Sequence, residues 1–237
     1  MSNAIYAALS RQTGLMTEMQ VVANNIANSS TTGYKSDRAI FAEYLAGGRN
    51  NLTDISMGSL AGHSFNMEQG GLRITGGKFD LAVQGEGFFR LETPDGEMLT
   101  RSGHFQLNEQ AELIDAAGNR VLNAGGGPIT IPEEISDFSI ASDGTISADG
   151  VIIEQVGIVV PEGQLQRSSG TMFTAPGGYE QAEEPQIVQG ALEQSNVSPV
   201  LEVARLIEVQ RAYEAGQSLI EREDDRLGKF ISTLRQL

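Results

Sequence analysis

The chain has 237 residues, a formal charge of −15, 40% hydrophobic residues, 28 glycines and neither cysteine nor tryptophan. That length permits one large domain or two modest ones around a buried core, and the missing thiols exclude disulfides, thiolate metal sites and thiol catalysis. The acidity argues against nucleic acid and against an anionic membrane face, and no apolar run is long enough to cross a bilayer.

The opening stretch, MSNAIYAALSRQTGLMTEMQ, has neither a basic n-region nor an uninterrupted apolar core, so it does not read as a Sec signal peptide. Ile5, Leu9, Gln12, Met16, Met19, Ala23 and Ile26 step alternately by four and three residues. This predicts a helix over 3–28, about 39 Å long, with a narrow heptad seam. It carries too few large apolar residues to stand alone in water. Met16 and Met19 read as packing residues suited to slightly different neighbours.

Asn24, Asn25 and Asn28 cluster at the end of this helix. Each amide both donates and accepts, so the three read as groups that fix register on a neighbouring helix, against a frayed, solvated end as the alternative. The run SSTTG then closes the helix, with Gly33 as its left-handed cap.

Residues 34–71 fit no clean period and read as an extended connector. From 72 to 185 the pattern is all-β. Asp95-Gly96 separates FFRLETP from EMLTR as a hairpin turn, Asp143-Gly144 and Asp149-Gly150 bracket the short strand TISA, and Gly118-Asn119 marks another turn.

A linker from 186 leads to the strongest helical signal. Ser198 and Pro199 give an N-cap hydroxyl and a proline at the first helical position. Leu206, Tyr213, Ile220, Leu227 and Leu234 then recur every seven residues. The companion series is Val203, Gln210, Gln217, Asp224 and Ile231, apolar at its ends. A seam this long reads as coiled coil.

The expected fold class is therefore α+β with several domains. Residues 1–33 and 186–237 supply helices that pair as a coiled-coil domain, 34–71 connect, and 72–185 form a central all-β domain. Charge and glycine follow the same division. Residues 1–30 carry only Arg11 and Glu18, residues from Ser198 carry seven acids and six bases, and 25 of the 28 glycines fall between 33 and 190.

Catalytic chemistry is scarce. His63 and His104 sit in Gly-rich polar surroundings without the partners a metal site needs, and read as loop histidines. No Gly-x-Ser-x-Gly elbow supports a triad. VQGEGFF lacks the third glycine and the following helix of a dinucleotide loop, and AGGGPITI lacks the Lys-Ser/Thr of a phosphate loop. No enzyme, cofactor or metal is expected.

NAIYAALS with ANNIANSSTTGYK resembles the N-terminal signature of the flagellar rod and hook proteins, in which an Ala-Asn-Asn-hydrophobic-Ala-Asn run leads to Thr-Gly-aromatic-Lys. DLAVQGEGFFRL is similar to that family's strand motif, and GALEQSNVSPVLEVARLIEVQRAYEAGQSLI to its C-terminal signature. The opening and the modest length favour the proximal-rod branch over the distal-rod branch or the longer hook proteins. Gly216 departs from the family's common pattern, in which asparagine or a larger residue more often stands there; it implies a bend or a close approach, since glycine costs up to ~1 kcal/mol in a helix.

The resemblance implies an axial subunit of the bacterial flagellar basal body in the periplasmic space. It would be exported by the flagellar type III apparatus without a cleaved signal and would bind copies of itself and other rod proteins, with no nucleic acid and no membrane insertion. Its assembly interface would be the two seams: Ile5, Leu9, Met16, Met19, Ile26, Val203, Leu206, Tyr213, Ile220, Leu227, Ile231 and Leu234, with Asn24, Asn25 and Asn28. The alternatives are a distal-rod or other axial member, or a dimeric adhesive β-domain with helical arms.

Overall fold

The structure, a computed structural model, describes residues 2–46, 55–132 and 137–234. The chain forms two compact units, each discontinuous in sequence. Met1–Ala27, Asp37–Asn66 and Ser198–Leu237 make a helical unit; Asn28–Ser36 and Met67–Val197 make a β unit.

The helical unit contains α1 (Ser2–Ala27), the strands β1 (Asp37–Ala46) and β2 (Ile55–Phe65), and α2 (Pro199–Leu234). At 1.5 Å per residue the helices are about 39 and 54 Å long. Helix α2 begins on the predicted proline, and Glu202 N donates to Ser198 O at 3.0 Å to close its first turn. Strands β1 and β2 pair antiparallel from Asp37↔Phe65 to Ala46↔Ile55, with a register shift between Ile40 and Phe41 that leaves Ala61 unmatched. This hairpin stands where a connector was expected. Its sequence, DRAIFAEYLA, runs apolar at consecutive positions, and the bulge breaks the alternation that would have revealed it.

The β unit strings short strands along the chain. The first are β3 (Leu72–Ile74), β4 (Leu81–Val83), β5 (Phe88–Thr93), β6 (Gly96–Thr100), β7 (Gln106–Leu107), β8 (Leu113–Ile114) and β9 (Arg120–Val121). Then come β10 (Phe138–Ile140), β11 (Thr145–Ala148), β12 (Val151–Gln155), β13 (Ile158–Pro161), β14 (Gln166–Ser169), β15 (Met172–Thr174) and β16 (Tyr179–Gln181). The last two are β17 (Ile187–Gln189) and β18 (Ala191–Glu193).

A nine-stranded sheet runs β14-β15-β6-β5-β9-β8-β7, with β13 on β5 and β16 on β13; β10-β11-β12 form a second sheet, and β17-β4 and β18-β3 are separate pairs. Leu81, Phe89, Leu91, Val121, Ile146 and Ile158 lie in one buried cluster between these layers. The predicted turns fall where the Asp-Gly pairs stand. Thr93 pairs with Gly96 across a two-residue loop, and Asp149 (φ 48°) with Gly150 (φ 78°) forms the tight β11–β12 turn.

Candidate assembly surfaces and the anchored signature

Helices α1 and α2 run antiparallel within the helical unit. Gln12 Nε2 donates to Tyr213 O at 2.9 Å, Arg205 pairs with Glu18 at 2.9 Å, and Asn25 Nδ2 donates to Glu202 Oε2 at 3.2 Å. On α1 the inward stripe holds Gln12, Met19, Val22 and Ile26. Leu9 and Met16, on the expected seam, point away and are 56% and 53% exposed. The seam is thus divided: one of its lines faces α2 and the other faces outward.

On α2, Leu206, Tyr213 and Ile220 face inward in part, as their spacing predicts. Their companions on the inner face are Glu202, the buried Val209 and Gly216, not the series that begins at Val203, which is 44% exposed. Gly216 explains the choice. A Cβ there would lie 2.7 Å from Gln12 Nε2, so the missing side chain is what lets Gln12 lie across α2. Gln12 Oε1 is buried without a hydrogen-bond partner. For Ile5, Leu227, Ile231 and Leu234 the helical backbone alone is described; their side chains lie outside the described residues.

Asn25 and Asn28 have partners within the chain. Asn25 is buried, and its amide bonds both backbone groups of Asp37, donating to the carbonyl at 2.9 Å and accepting from N–H at 3.0 Å. It thereby presents the first residue of β1 with the donor and acceptor a neighbouring strand would supply. The Asp37 carboxylate also meets His63 Nδ1 at 3.0 Å. Asn28 shapes the turn after α1, accepting from Thr31 N at 3.1 Å and from Thr31 Oγ1 at 3.2 Å. Asn24 is exposed.

Residues 28–36 belong to the β unit and are tied into it along their length. Gly33 is left-handed (φ 69°), but α1 has already ended at Ala27, so it is no helix cap. Its N–H donates to Glu193 O at 2.8 Å, and a Cβ would lie 2.3 Å from Ser102 N. Lack of a side chain permits that backbone approach. The Tyr34 ring lies beneath the Arg167 guanidinium at 4.3 Å, and Arg167 also donates to Lys35 O. Ser36 N donates to Asn196 Oδ1 at 2.7 Å.

Lys35 is the centre of this anchor. Its side chain has no exposure, and Nζ bonds Glu193 Oε1 at 2.6 Å, with Glu193 only 1% exposed. The same ammonium donates to Glu68 O at 2.8 Å. Arg101, also buried, reaches the other Glu193 oxygen at 3.2 Å. One carboxylate therefore holds two buried cations. Burial pushes the pKa of Lys35 down from 10.5, opposed by its bond to Glu193. Burial likewise lowers Arg101. Sequence reasoning gave Lys35 only to a family motif; its partner lies 158 residues away, where no local pattern signals it.

The histidines have local partners. His104 Nδ1 bonds Asp80 Oδ1 at 2.7 Å, and Thr75 Oγ1 donates to Asp80 Oδ2 at 2.5 Å. The hydroxyl thus bonds the carboxylate and not the imidazole, which is not the order that activates a nucleophile.

Three family models match the segments these contacts join. Residues 5–35 match the flagella basal body rod protein model, 82–148 the flagellar hook protein FlgE/F/G D1 domain, and 188–234 the flagellar basal body rod FlgEFG protein C-terminal model. The flagellar basal-body rod protein FlgF of Caulobacter vibrioides is 37% identical, covering 97% of this chain and 100% of its own length. The chain belongs to the flagellar basal-body rod family. The FlgF of Mesorhizobium japonicum is 33% identical over 99% of this chain and 98% of its own length. The FlgG of Bacillus subtilis is 32% identical over 99% and 100%. Among these rod proteins the FlgF relatives are the more similar. Lys35 is the last residue of the N-terminal family match and Glu193 lies within the C-terminal one, so this buried ion pair, like the more exposed Arg205–Glu18 pair, joins the two signatures.

Proposed function

We propose that the chain is a structural axial subunit of the bacterial flagellar basal-body rod, of the proximal type. The observation that carries this is similarity to named rod proteins over nearly the whole length, including both terminal helices and the segment that Lys35 anchors. The terminal helices pair as a coiled coil and assemble with copies of the chain and with other rod proteins into a tube. That tube transmits torque and surrounds the export channel. The role is mechanical and calls for no catalytic group or cofactor. The assembly interface is the outward part of both seams, with Leu9, Met16 and Val203 foremost.

The subunit reaches the periplasmic space through the flagellar type III apparatus without cleavage of a signal peptide. Among the described residues no helix is long and apolar enough to cross a membrane.

Deletion of the gene should abolish swimming, and a tagged copy should restore it and copurify with basal bodies. A deletion strain that swims normally, or basal bodies free of the tagged chain, would refute the reading. Cytoplasmic retention in a strain lacking the export ATPase tests the route.

A further inference from the structure

Two apolar surfaces of the helical unit face outward, and they differ from one another. On α1 the outward line is Leu9, Met16 and Ala23, one residue every heptad. Its flanks, Thr13, Gln20 and Ala27, are exposed and uncharged. Thr13 Oγ1 donates back to Leu9 O at 3.1 Å, and Thr17 Oγ1 to Thr13 O at 3.1 Å, so these hydroxyls are bonded within the helix. The two charges of α1, Arg11 and Glu18, lie off this face, and Glu18 is held by Arg205. A helix face this long without a charge is not built for water.

On α2 the outward apolar patch is Val200, Val203, Ala204 and Ile207, at i, i+3, i+4 and i+7. Val200 is 78% and Ile207 46% exposed. This spacing is that of a helix that lays one face on another. The patch lies opposite the side that packs on α1. Beyond it the outer face turns charged, with Glu208, Arg211 and Glu214 all exposed.

We infer that the two surfaces bind each other between copies: the Leu9–Met16–Ala23 line of one chain docks on the Val200–Val203–Ile207 patch of the next. The inference rests on the rod reading above and adds the connectivity. Polarity selects the pairing, because an uncharged face can cover the start of α2 without desolvating a charge, whereas the stretch beyond Ile207 would strip Glu208, Arg211 and Glu214 of water. Symmetry selects the direction. A two-fold contact of either surface with itself leaves the other bare, whereas a heterologous contact covers both and propagates as a directional array. The half-exposed side chains of one contact amount to roughly 500 Å², below the ~1,200 Å² of a stable pair. A single contact therefore holds no dimer, and each copy must be engaged on both sides.

The chain has no cysteine, so thiols can be placed at will. Cells would carry Met16→Cys and Val203→Cys chains together, each alone, or both substitutions in one chain, with swimming confirming assembly of each variant. Basal bodies would be oxidised briefly and run without reductant. The docking predicts a dimer only when both single variants are present, and multimers beyond the dimer from the doubly substituted chain. A dimer from either single variant, an adduct with a different protein, or no adduct in basal bodies that contain the chain would overturn it. Basal bodies lacking even the unsubstituted chain would overturn the rod reading itself, and the docking with it.

Discussion

Replacing Glu193 by Gln should damage the β unit far more than replacing Lys35 by Met. The carboxylate lies between Lys35 and Arg101, bonded to both at 2.6 and 3.2 Å, with all three side chains nearly without exposure. Neutralising it leaves two cations buried without an anion, the situation in which breaking a buried pair costs about 3–5 kcal/mol. Glu193 Oε1 also accepts Gly70 N at 3.0 Å, a bond the amide oxygen can keep. For a unit near 150 residues, about 4 kcal/mol corresponds to a fall in Tm of roughly 12–16 °C. Lys35→Met instead leaves Glu193 and Arg101 as a neutral pair. Its cost is the lost donor to the Glu68 carbonyl, which still accepts from Asn196 Nδ2 at 2.9 Å, and should stay near 1–2 kcal/mol.

The pH dependence carries a definite sign. Burial already depresses Lys35, so the unfolded chain holds its proton more tightly than the folded one, and stability rises as pH approaches 10.5 from below. Without Glu193 the depression deepens, so the Glu193→Gln variant should recover stability on alkaline titration more steeply than the parent. Calorimetry from pH 7 to 10, with hydrogen exchange read on peptides from 67–197, measures both effects. Equal losses for the two variants, or a Glu193→Gln variant that weakens as pH rises, would refute the account of one carboxylate neutralising two buried cations.

Gln12→Met should stabilise the helical unit by about 1 kcal/mol, because it removes a buried acceptor without a partner while roughly conserving volume, and the Tyr213 carbonyl that loses the Gln12 donor lies within the helical ladder of α2; slower amide exchange in α1 would show it. Gly33→Ala should destabilise the β unit by about 3 kcal/mol, from its left-handed backbone and the 2.3 Å approach to Ser102 N, as read by the urea midpoint. Asn25→Asp removes the donor to Asp37 O and sets a carboxylate against Glu202. The new group's folded pKa should rise, so stability is lost as pH climbs through the acid range, and exchange at the start of α2 should be slower at pH 4.5 than the variant's pH 7 behaviour extrapolates.

The elements that could be read from the sequence were those whose signal is local. Pro199 marks the start of α2 in both sequence and structure, and Asp149-Gly150 forms the tight turn its residues favour. The hairpin β1–β2 was hidden because the bulge at Ala61 and the consecutive apolar residues erase a period of two. The heptad lines were legible, but which of them faces α2 was not. That depends on Gly216 making room for Gln12, a contact between residues at opposite ends of the chain. Asn25 illustrates the same limit: its amide chemistry was evident, but its partners are Asp37 and Glu202 of its own chain.

The division of each unit between distant segments has a kinetic consequence. A chain that emerges N-terminus first, from a ribosome or from any narrow pore, presents α1 long before α2 and Lys35 long before Glu193, which follows 158 residues later. Closing a loop of that size is entropically slow. The β unit cannot finish until Val197 is free, nor the helical unit until α2, which follows it, has emerged. The Lys35–Glu193 ion pair is thus a late event in the folding of the β unit, and the helical unit closes later still, because α2 follows Glu193 in the chain.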